Sequence, residues 1–231
     1  MDVASGTVAK RSNLSGQLWG AIEGVYAAIV EHPFLRGLVA GDLPREAFLF
    51  YVIQDAHYLR EYARALAVCA ARAPAEADIE MFAEHAAGAI AVERELHAGF
   101  FADAGITETQ VAATPLAPTC LAYTSYLLAS VYSGSFAEGL GAVLPCYWIY
   151  QEVGSELAGR GSPDPLYQRW IDTYGGEGFA AVVRAVIELT DRLGPQLGAG
   201  ETALMTERFR TTSRYEWMFW EMGWRQQEWP I

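Results

Sequence analysis

Two carboxylic acids and one thiol fall on apolar faces of predicted helices, where ionisable groups are uncommon. Asp55 recurs with Tyr51 and Tyr58 at steps of three or four residues, and Glu216 and Cys146 hold similar positions in two later helices. A buried carboxylate without a partner is costly, so each acid is expected to form hydrogen bonds. A lone cysteine on such a face is more often a small core residue than a nucleophile.

Five tyrosines on the predicted helices would each, taken singly, fit a core or interface position; they are Tyr58, Tyr62, Tyr123, Tyr150 and Tyr174. Grouped with two carboxylates and a thiol, they would form a site for a planar heterocycle. Their rings supply stacking surfaces, while carboxylates accept hydrogen bonds from an exocyclic amine or a ring N–H. A thiolate could then add to the polarised ring. Periodicity alone leaves open whether these residues meet.

The elements that must position these groups are helices throughout. Apolar residues recur with helical spacing, and no alternating strand pattern with hairpin turns is present. The predicted helices cover residues 14 to 31, 45 to 72, 76 to 103, 119 to 133, 138 to 158, 165 to 174, 177 to 197 and 202 to 227. Short gaps rich in proline and glycine separate them. We therefore expect an all-α, single-domain bundle of about eight helices over residues 14 to 231, preceded by a flexible N-terminus over residues 1 to 13.

Composition narrows the possible partners. The chain has 231 residues, and its 16 basic and 28 acidic residues give a formal net charge of −12. Such a charge repels a phosphate backbone, so nucleic acid is not expected as a partner. Three widely spaced cysteines without a CxxC pair suggest neither a disulfide framework nor a zinc site. Without an N-terminal apolar run either, we expect a cytoplasmic protein.

One long segment is almost uncharged and raises the question of a membrane span. Between residues 109 and 151 the only formal charge is Glu138. Pro115, Pro118 and Pro145, together with many Tyr, Ser, Thr and Gly residues, favour helices buried in protein instead. No membrane partner is expected.

Four motifs occur in a fixed order along most of the chain. They are Gln54-Asp55-x-x-Tyr58-Leu59, Pro145-Cys146-x-x-x-Tyr150-x-Glu152, Trp170-Ile171-x-x-Tyr174 and Tyr215-Glu216-Trp217-x-Phe219-Trp220. In order and spacing, from about residue 14 to residue 222, the chain resembles the thiaminase II family, also called TenA or aminopyrimidine aminohydrolase. One departure is Ala56-His57, where many relatives carry an aromatic residue before the motif tyrosine.

This resemblance implies a heme-oxygenase-like helical fold assembled as a homotetramer. The implied activity is hydrolysis of 4-amino-5-aminomethyl-2-methylpyrimidine, and more slowly of thiamin, to the 5-hydroxymethyl pyrimidine in thiamin salvage. The implied partner is therefore a small-molecule pyrimidine, and no metal or organic cofactor is implied.

The resemblance also assigns roles to individual residues. Cys146 would attack the pyrimidine ring as the nucleophile, and Glu216 would move protons to the ring and the leaving group. Asp55 would hold the amino edge of the pyrimidine. Tyr123 and Tyr174 would add polar contacts, and Tyr58 and Tyr150 would shape the pocket or orient the cysteine.

Two other functions compete with this interpretation. A helical di-iron oxidase needs carboxylates and histidines on several helices, and Glu93 with His97 supplies only one such pair. A non-catalytic pyrimidine-binding or regulatory protein would have no need for the nucleophile Cys146 or the proton carrier Glu216.

Overall fold

The computed structural model describes residues 13 to 231, leaving out the side chains of residues 92 to 98, 104 and 108. Within this part the chain forms helices and no β-strand. The α-helices are α1 (Leu14–Gly20), α2 (Glu23–Val30), α3 (Pro33–Ala40), α4 (Arg45–Arg72), α5 (Glu76–Ala104), α6 (Glu108–Ala113), α7 (Pro118–Ser133), α8 (Phe136–Ala158), α9 (Pro165–Gly175), α10 (Glu177–Leu193) and α11 (Ala199–Arg225). A short 3₁₀ turn, Gly194–Gln196, joins the last two.

The expected number of about eight helices was too low, since eleven α-helices lie in the described residues. The first predicted helix divides into α1 and α2 at Ala21 and Ile22. The short helices α3 and α6 were missed because each has only one or two turns, too few for a periodic apolar pattern. Local capping starts both: His32 accepts a hydrogen bond from the backbone of Phe34, and Thr107 forms a capping box.

Helices α4, α8 and α11 form the centre of the bundle. Helix α5 packs along α4, α11 packs along α8, and α8 also contacts α7, α9 and α10. At Gly154 of α8 an added Cβ would lie 2.4 Å from the carbonyl carbon of Tyr174. The backbones of α8 and α9 therefore touch at a point where only glycine fits. This contact brings the ring of Tyr174 to 4.9 Å from that of Tyr150.

The apolar stripes predicted from periodicity are buried in the structure. Asp55 and Glu216 lie on the inward faces of α4 and α11 and are only 4% and 1% exposed. The four tryptophans near the C-terminus do not form one exposed patch. Trp220 is fully buried in the core, Trp217 and Trp224 are partly buried, and only Trp229 is exposed.

None of the helices in residues 13 to 231 is both long enough and apolar enough to cross a bilayer. The nearly uncharged segment instead forms α6, α7 and most of α8. Residues 1 to 12, which make up nearly all of the predicted flexible N-terminus, lie outside the described part.

Candidate active site

A cavity of about 560 Å³ opens between five helices of the bundle. Its walls come from α4, α5, α8, α9 and α10, and they are mostly apolar or aromatic. The lining residues with polar groups are Asp55, Tyr62, Glu84, His85, Cys146, Tyr147, Tyr150, Thr173 and Tyr174. A pocket with apolar walls and a few polar groups pointing inward is typical of a small-molecule site.

The structure brings four of the seven residues predicted for the site to the cavity wall: Asp55, Cys146, Tyr150 and Tyr174. The other three are Tyr58, Tyr123 and Glu216, which are buried and are not part of the lining. They contact one another, because Tyr123 donates a hydrogen bond to Glu216 and its ring lies 4.9 Å from that of Tyr58. Tyr58 and Glu216 also influence the pKa of Cys146 on the wall. The seven residues therefore form one cluster, with the three buried members behind the cavity surface.

Cys146 lies within α8, directly after Pro145. Proline donates no backbone hydrogen bond, so the preceding turn of the helix lacks one of its usual bonds. The thiol is partly exposed at the cavity wall. Burial and then the negative charge of Glu216 raise the pKa of Cys146 well above its usual value, while the neighbouring hydroxyl groups of Tyr58 and Tyr62 act to lower it. In the resting site at neutral pH the sulfur is therefore a thiol.

Glu216 accepts a hydrogen bond of 2.5 Å from the hydroxyl group of Tyr123. Burial, and secondarily the charge of Asp55, raises the pKa of Glu216 to about 8, although the bond from Tyr123 acts to lower it. The ring of Tyr123 is held in turn by Tyr215, which stacks on it at 5.1 Å and 7°. Glu216 can thus gain or lose a proton near neutral pH, as a general acid or base requires.

The hydroxyl group of Tyr58 is buried and has no hydrogen-bond partner among the described residues. Its ring lies 4.9 Å from that of Tyr123 and 5.4 Å from that of Phe219. Buried polar atoms are seldom left unpaired, and exceptions often mark functional positions. Since the Tyr58 hydroxyl acts to lower the pKa of Cys146 and donates to no described group, it is a donor suited to a thiolate.

Asp55 and Tyr150 form a second polar group on the cavity wall. The hydroxyl of Tyr150 lies 3.0 Å from that of Tyr51, which belongs to the same helix as Asp55. The negative charge of Asp55 raises the pKa of Tyr51, Tyr150 and Tyr174, in each case after burial. These phenols therefore stay protonated and can donate hydrogen bonds around the Asp55 carboxylate.

Gln54 of the first motif and its neighbour His57 hold a loop in place. Both polar ends of the Gln54 side chain bind the segment before α7, through the carbonyl of Pro115 at 2.9 Å and the N–H of Ala117 at 2.8 Å. His57 contacts the carbonyl of Thr114 at 3.1 Å. His57 does not line the cavity, so the departure at Ala56-His57 affects the loop rather than the pocket wall.

Sequence reasoning missed His85, Tyr147 and the α10 part of the wall, which includes Phe179. Tyr147 directly follows Cys146 in the second motif, and this was the available signal. In the described residues, no group of three or more His, Cys, Asp or Glu side chains could hold a metal ion. The side chains of Glu93 and His97, on which the di-iron interpretation depends, lie outside the described residues.

The model of the TENA/THI-4/PQQC family matches residues 19 to 226. Among curated relatives, the aminopyrimidine aminohydrolase of Bacillus subtilis strain 168 is 40% identical over 198 residues, which cover 86% of this chain and 84% of the relative. The protein of the same name from Helicobacter pylori is 33% identical and covers 92% of this chain and 99% of its own length.

The similar solved structures include TenA proteins. A TenA homologue from P. horikoshii OT3 superimposes with a TM-score of 0.85 at 31% identity, covering 92% of this chain and 99% of its own. A TenA family transcription regulator from Silicibacter sp. TM1040 has a TM-score of 0.84 at 33% identity, with 91% and 96% covered. A Shewanella denitrificans domain with a heme oxygenase-like fold has a TM-score of 0.72 at 13% identity, with 91% of each chain covered, which shows the fold alone.

Proposed function

Since this chain is a member of the TENA/THI-4/PQQC family, we propose that it is an aminopyrimidine aminohydrolase acting in thiamin salvage. Its substrate would be 4-amino-5-aminomethyl-2-methylpyrimidine, with thiamin as a slower substrate. The relatives from B. subtilis and H. pylori carry the name of this activity. The product would be the 5-hydroxymethyl pyrimidine, with ammonia released from the aminomethyl substrate.

The main support for this proposal is that three reactive groups lie at one aromatic cavity. They are a thiol, a carboxylate and a proton carrier whose pKa is near neutral. Cys146 and Asp55 lie on its wall, and Glu216 lies behind it with a pKa of about 8. Tyr150 and Tyr174 supply flat faces and phenol donors for a planar ring. A protein that only bound a pyrimidine would need the aromatic faces and Asp55 but neither of the other two groups.

The first step joins Cys146 to the ring. In the ionised fraction of Glu216, its carboxylate takes the thiol proton, and the sulfur adds to the ring carbon beside the one that bears the methylene. The adjacent ring nitrogen receives the electron pair and then the proton from Glu216. Tyr58 stabilises the sulfur while it is charged, because its hydroxyl acts to lower the pKa of Cys146 and donates to no described group.

The second step replaces the leaving group. The lone pair of the 4-amino group forms a double bond to the ring, and the exocyclic C–N bond of the protonated aminomethyl group breaks with its electrons on nitrogen, which leaves as ammonia. Asp55 is placed to accept hydrogen bonds from this amino group as it gains positive charge. Water adds to the methylene and loses a proton to the released ammonia. The C–S bond then breaks, and Glu216 carries the proton of the ring nitrogen back to the sulfur, which regenerates the thiol.

Turnover of three substrates by the purified protein tests this function. Aminomethyl pyrimidine, its N-formyl derivative and thiamin are compared by kcat/KM, with formation of the hydroxymethyl pyrimidine as the readout. We expect the aminomethyl compound to be the best substrate. Binding of the hydroxymethyl pyrimidine without turnover of any of the three would instead identify a binding or regulatory protein. For a regulator that binds DNA, the net charge of −12 is unfavourable.

We also propose that the chain acts as a cytoplasmic homotetramer. Its three cysteines are free, as in a reducing compartment. Large apolar side chains are exposed on α7 and α11, where they would be covered by another subunit; they are Leu121, Tyr132, Leu204 and Met218. Light scattering at micromolar concentration is expected to give four times the 25.3 kDa mass of the chain. A monomer under these conditions would contradict the assembly.

A further inference from the structure

His85 lies on α5 and is a partly buried member of the cavity wall that also includes Cys146 and Asp55. None of the four motifs contains it. Its ring packs against Tyr147 of α8 at 5.6 Å and against Phe82 of its own helix at 6.4 Å. Of the polar wall residues, it is the one that can offer an uncharged nitrogen acceptor.

The two ring nitrogens of His85 are in different surroundings. Nδ1 lies 3.1 Å from the hydroxyl group of Tyr147, which fixes the orientation of the ring. Nε2 makes no hydrogen bond with any described residue. When Nδ1 carries its hydrogen and donates to Tyr147, Nε2 presents a lone pair to a ligand in the cavity.

Burial lowers the pKa of His85, so the imidazole is neutral at neutral pH. A neutral ring accepts a hydrogen bond from a cation, whereas an imidazolium would repel it. The cavity lining that His85 belongs to contains no lysine or arginine, and its other titratable residues are Asp55, Tyr62, Glu84, Cys146, Tyr147, Tyr150 and Tyr174. The surroundings of His85 therefore favour a positively charged ligand group.

The position of this acceptor matches one part of the substrate. In the proposed reaction, sulfur adds to the ring carbon beside the one that bears the leaving group, so that group lies close to Cys146. Tyr147 follows Cys146 in the chain, and after burial the charge of Cys146 is the largest influence raising the pKa of Tyr147. Cys146, Tyr147 and His85 line the same cavity, so the Tyr147 and His85 pair can contact a leaving group that is held near the thiol.

We propose that His85, oriented by Tyr147, is a specificity-determining residue that accepts a hydrogen bond from the N–H of an amine leaving group. This inference rests on the proposed function. An aminomethyl group, protonated at neutral pH, has N–H donors, but the quaternary nitrogen of the thiazolium ring in thiamin has none. His85 would therefore favour simple amines over thiamin.

The test compares His85→Phe and Tyr147→Phe with the unsubstituted enzyme on aminomethyl pyrimidine and on thiamin. Phenylalanine keeps a ring at either position but removes the acceptor or the orienting hydroxyl group. For the aminomethyl substrate kcat/KM should fall roughly tenfold or more, as expected for a hydrogen bond to a charged group. For thiamin it should change less than about twofold, because no such bond exists to be lost.

Binding of 4-amino-2,5-dimethylpyrimidine, which has a hydrogen in place of the leaving group, checks that the pocket is intact. Both variants should bind this compound with the affinity of the unsubstituted enzyme. Equal losses on both substrates, or an unchanged preference, would overturn the role of His85. A changed preference in Glu84→Gln but not in His85→Phe would mean that the carboxylate of Glu84, and not His85, recognises the leaving group. If the unsubstituted enzyme turned over no pyrimidine, the proposed function itself would fail.

Discussion

The hydroxyl group of Tyr123 donates a 2.5 Å hydrogen bond to Oε1 of Glu216, and both side chains are buried. Although this bond favours the carboxylate, burial outweighs it and raises the pKa of Glu216 to about 8. The folded protein therefore holds a proton on Glu216 at neutral pH that the unfolded chain would release. This proton links the chemistry of the site to the stability of the fold.

We predict that Glu216→Gln stabilises the protein increasingly as the pH rises. Between pH 4.5 and about 8 the folded wild type binds one more proton at Glu216 than the unfolded chain, so its stability falls with pH across this window. Glutamine has no such linkage. The gain should approach an upper bound of about 5 kcal/mol near pH 8, at about 1.4 kcal/mol per pH unit.

Urea unfolding of both proteins near pH 5 and pH 8 checks this expectation. Glu207→Gln, at an exposed position on the same helix, is the control and should show no such trend. A difference between Glu216→Gln and wild type that stays constant from pH 5 to pH 8 would mean that Glu216 is ionised in the folded protein.

We predict that Tyr58→Phe makes the thiol of Cys146 harder to ionise. The Tyr58 hydroxyl acts against the effects of burial and of Glu216 on the pKa of Cys146, so loss of this hydroxyl raises the pKa further. A hydrogen bond to a charged group is worth about 1.5 to 3 kcal/mol, or roughly one to two pKa units.

The rate of alkylation of Cys146 as a function of pH measures this effect, in a background of Cys69→Ala and Cys120→Ala. At neutral pH the rate should fall roughly tenfold in Tyr58→Phe. Tyr132→Phe removes an exposed hydroxyl group and serves as the control. An unchanged profile in Tyr58→Phe would show that its hydroxyl does not interact with the thiolate.

We predict that Asp55→Asn weakens pyrimidine binding and slows turnover while the fold stays intact. An amide presents a donor where the carboxylate only accepts, so the match to the 4-amino group is lost. Titration with the hydroxymethyl pyrimidine and circular dichroism measure the two effects. Asp172→Asn, at an exposed carboxylate on α9, is the control. Wild-type affinity and turnover in Asp55→Asn would make Asp55 a structural residue.

Helical periodicity correctly predicted the inward positions of Asp55 and Glu216, because burial of a long helix face leaves a regular pattern in the sequence. The clustering of Trp217, Trp220, Trp224 and Trp229 near the C-terminus suggested instead an exposed patch, but Trp220 is buried. Clustering of tryptophans does not distinguish a core position from an interface, since a large aromatic ring suits both.

His85 could not be found from local sequence because its role depends on a contact between two helices. Tyr147, which orients it, is 62 residues away in the chain. The sequence also could not show which site residues line the cavity and which lie buried behind it. Cys146, Tyr58 and Glu216 come from three helices, and the packing of these helices decides how far each side chain lies from the cavity. Gly154 illustrates the cause, as its close contact with Tyr174 becomes apparent only in three dimensions.

In the proposed mechanism Cys146 forms a covalent bond to the pyrimidine, with Glu216 as its proton carrier. The most direct test is the turnover of aminomethyl pyrimidine by folded Cys146→Ala, beside a Cys69→Ala, Cys120→Ala control. We expect Cys146→Ala to lose nearly all activity, because the covalent step needs the thiol. The control should stay active, and it should be inactivated by alkylation unless the hydroxymethyl pyrimidine is bound. Full activity in Cys146→Ala would contradict the covalent mechanism and leave Glu216 and Asp55 as the acid and base of a direct displacement.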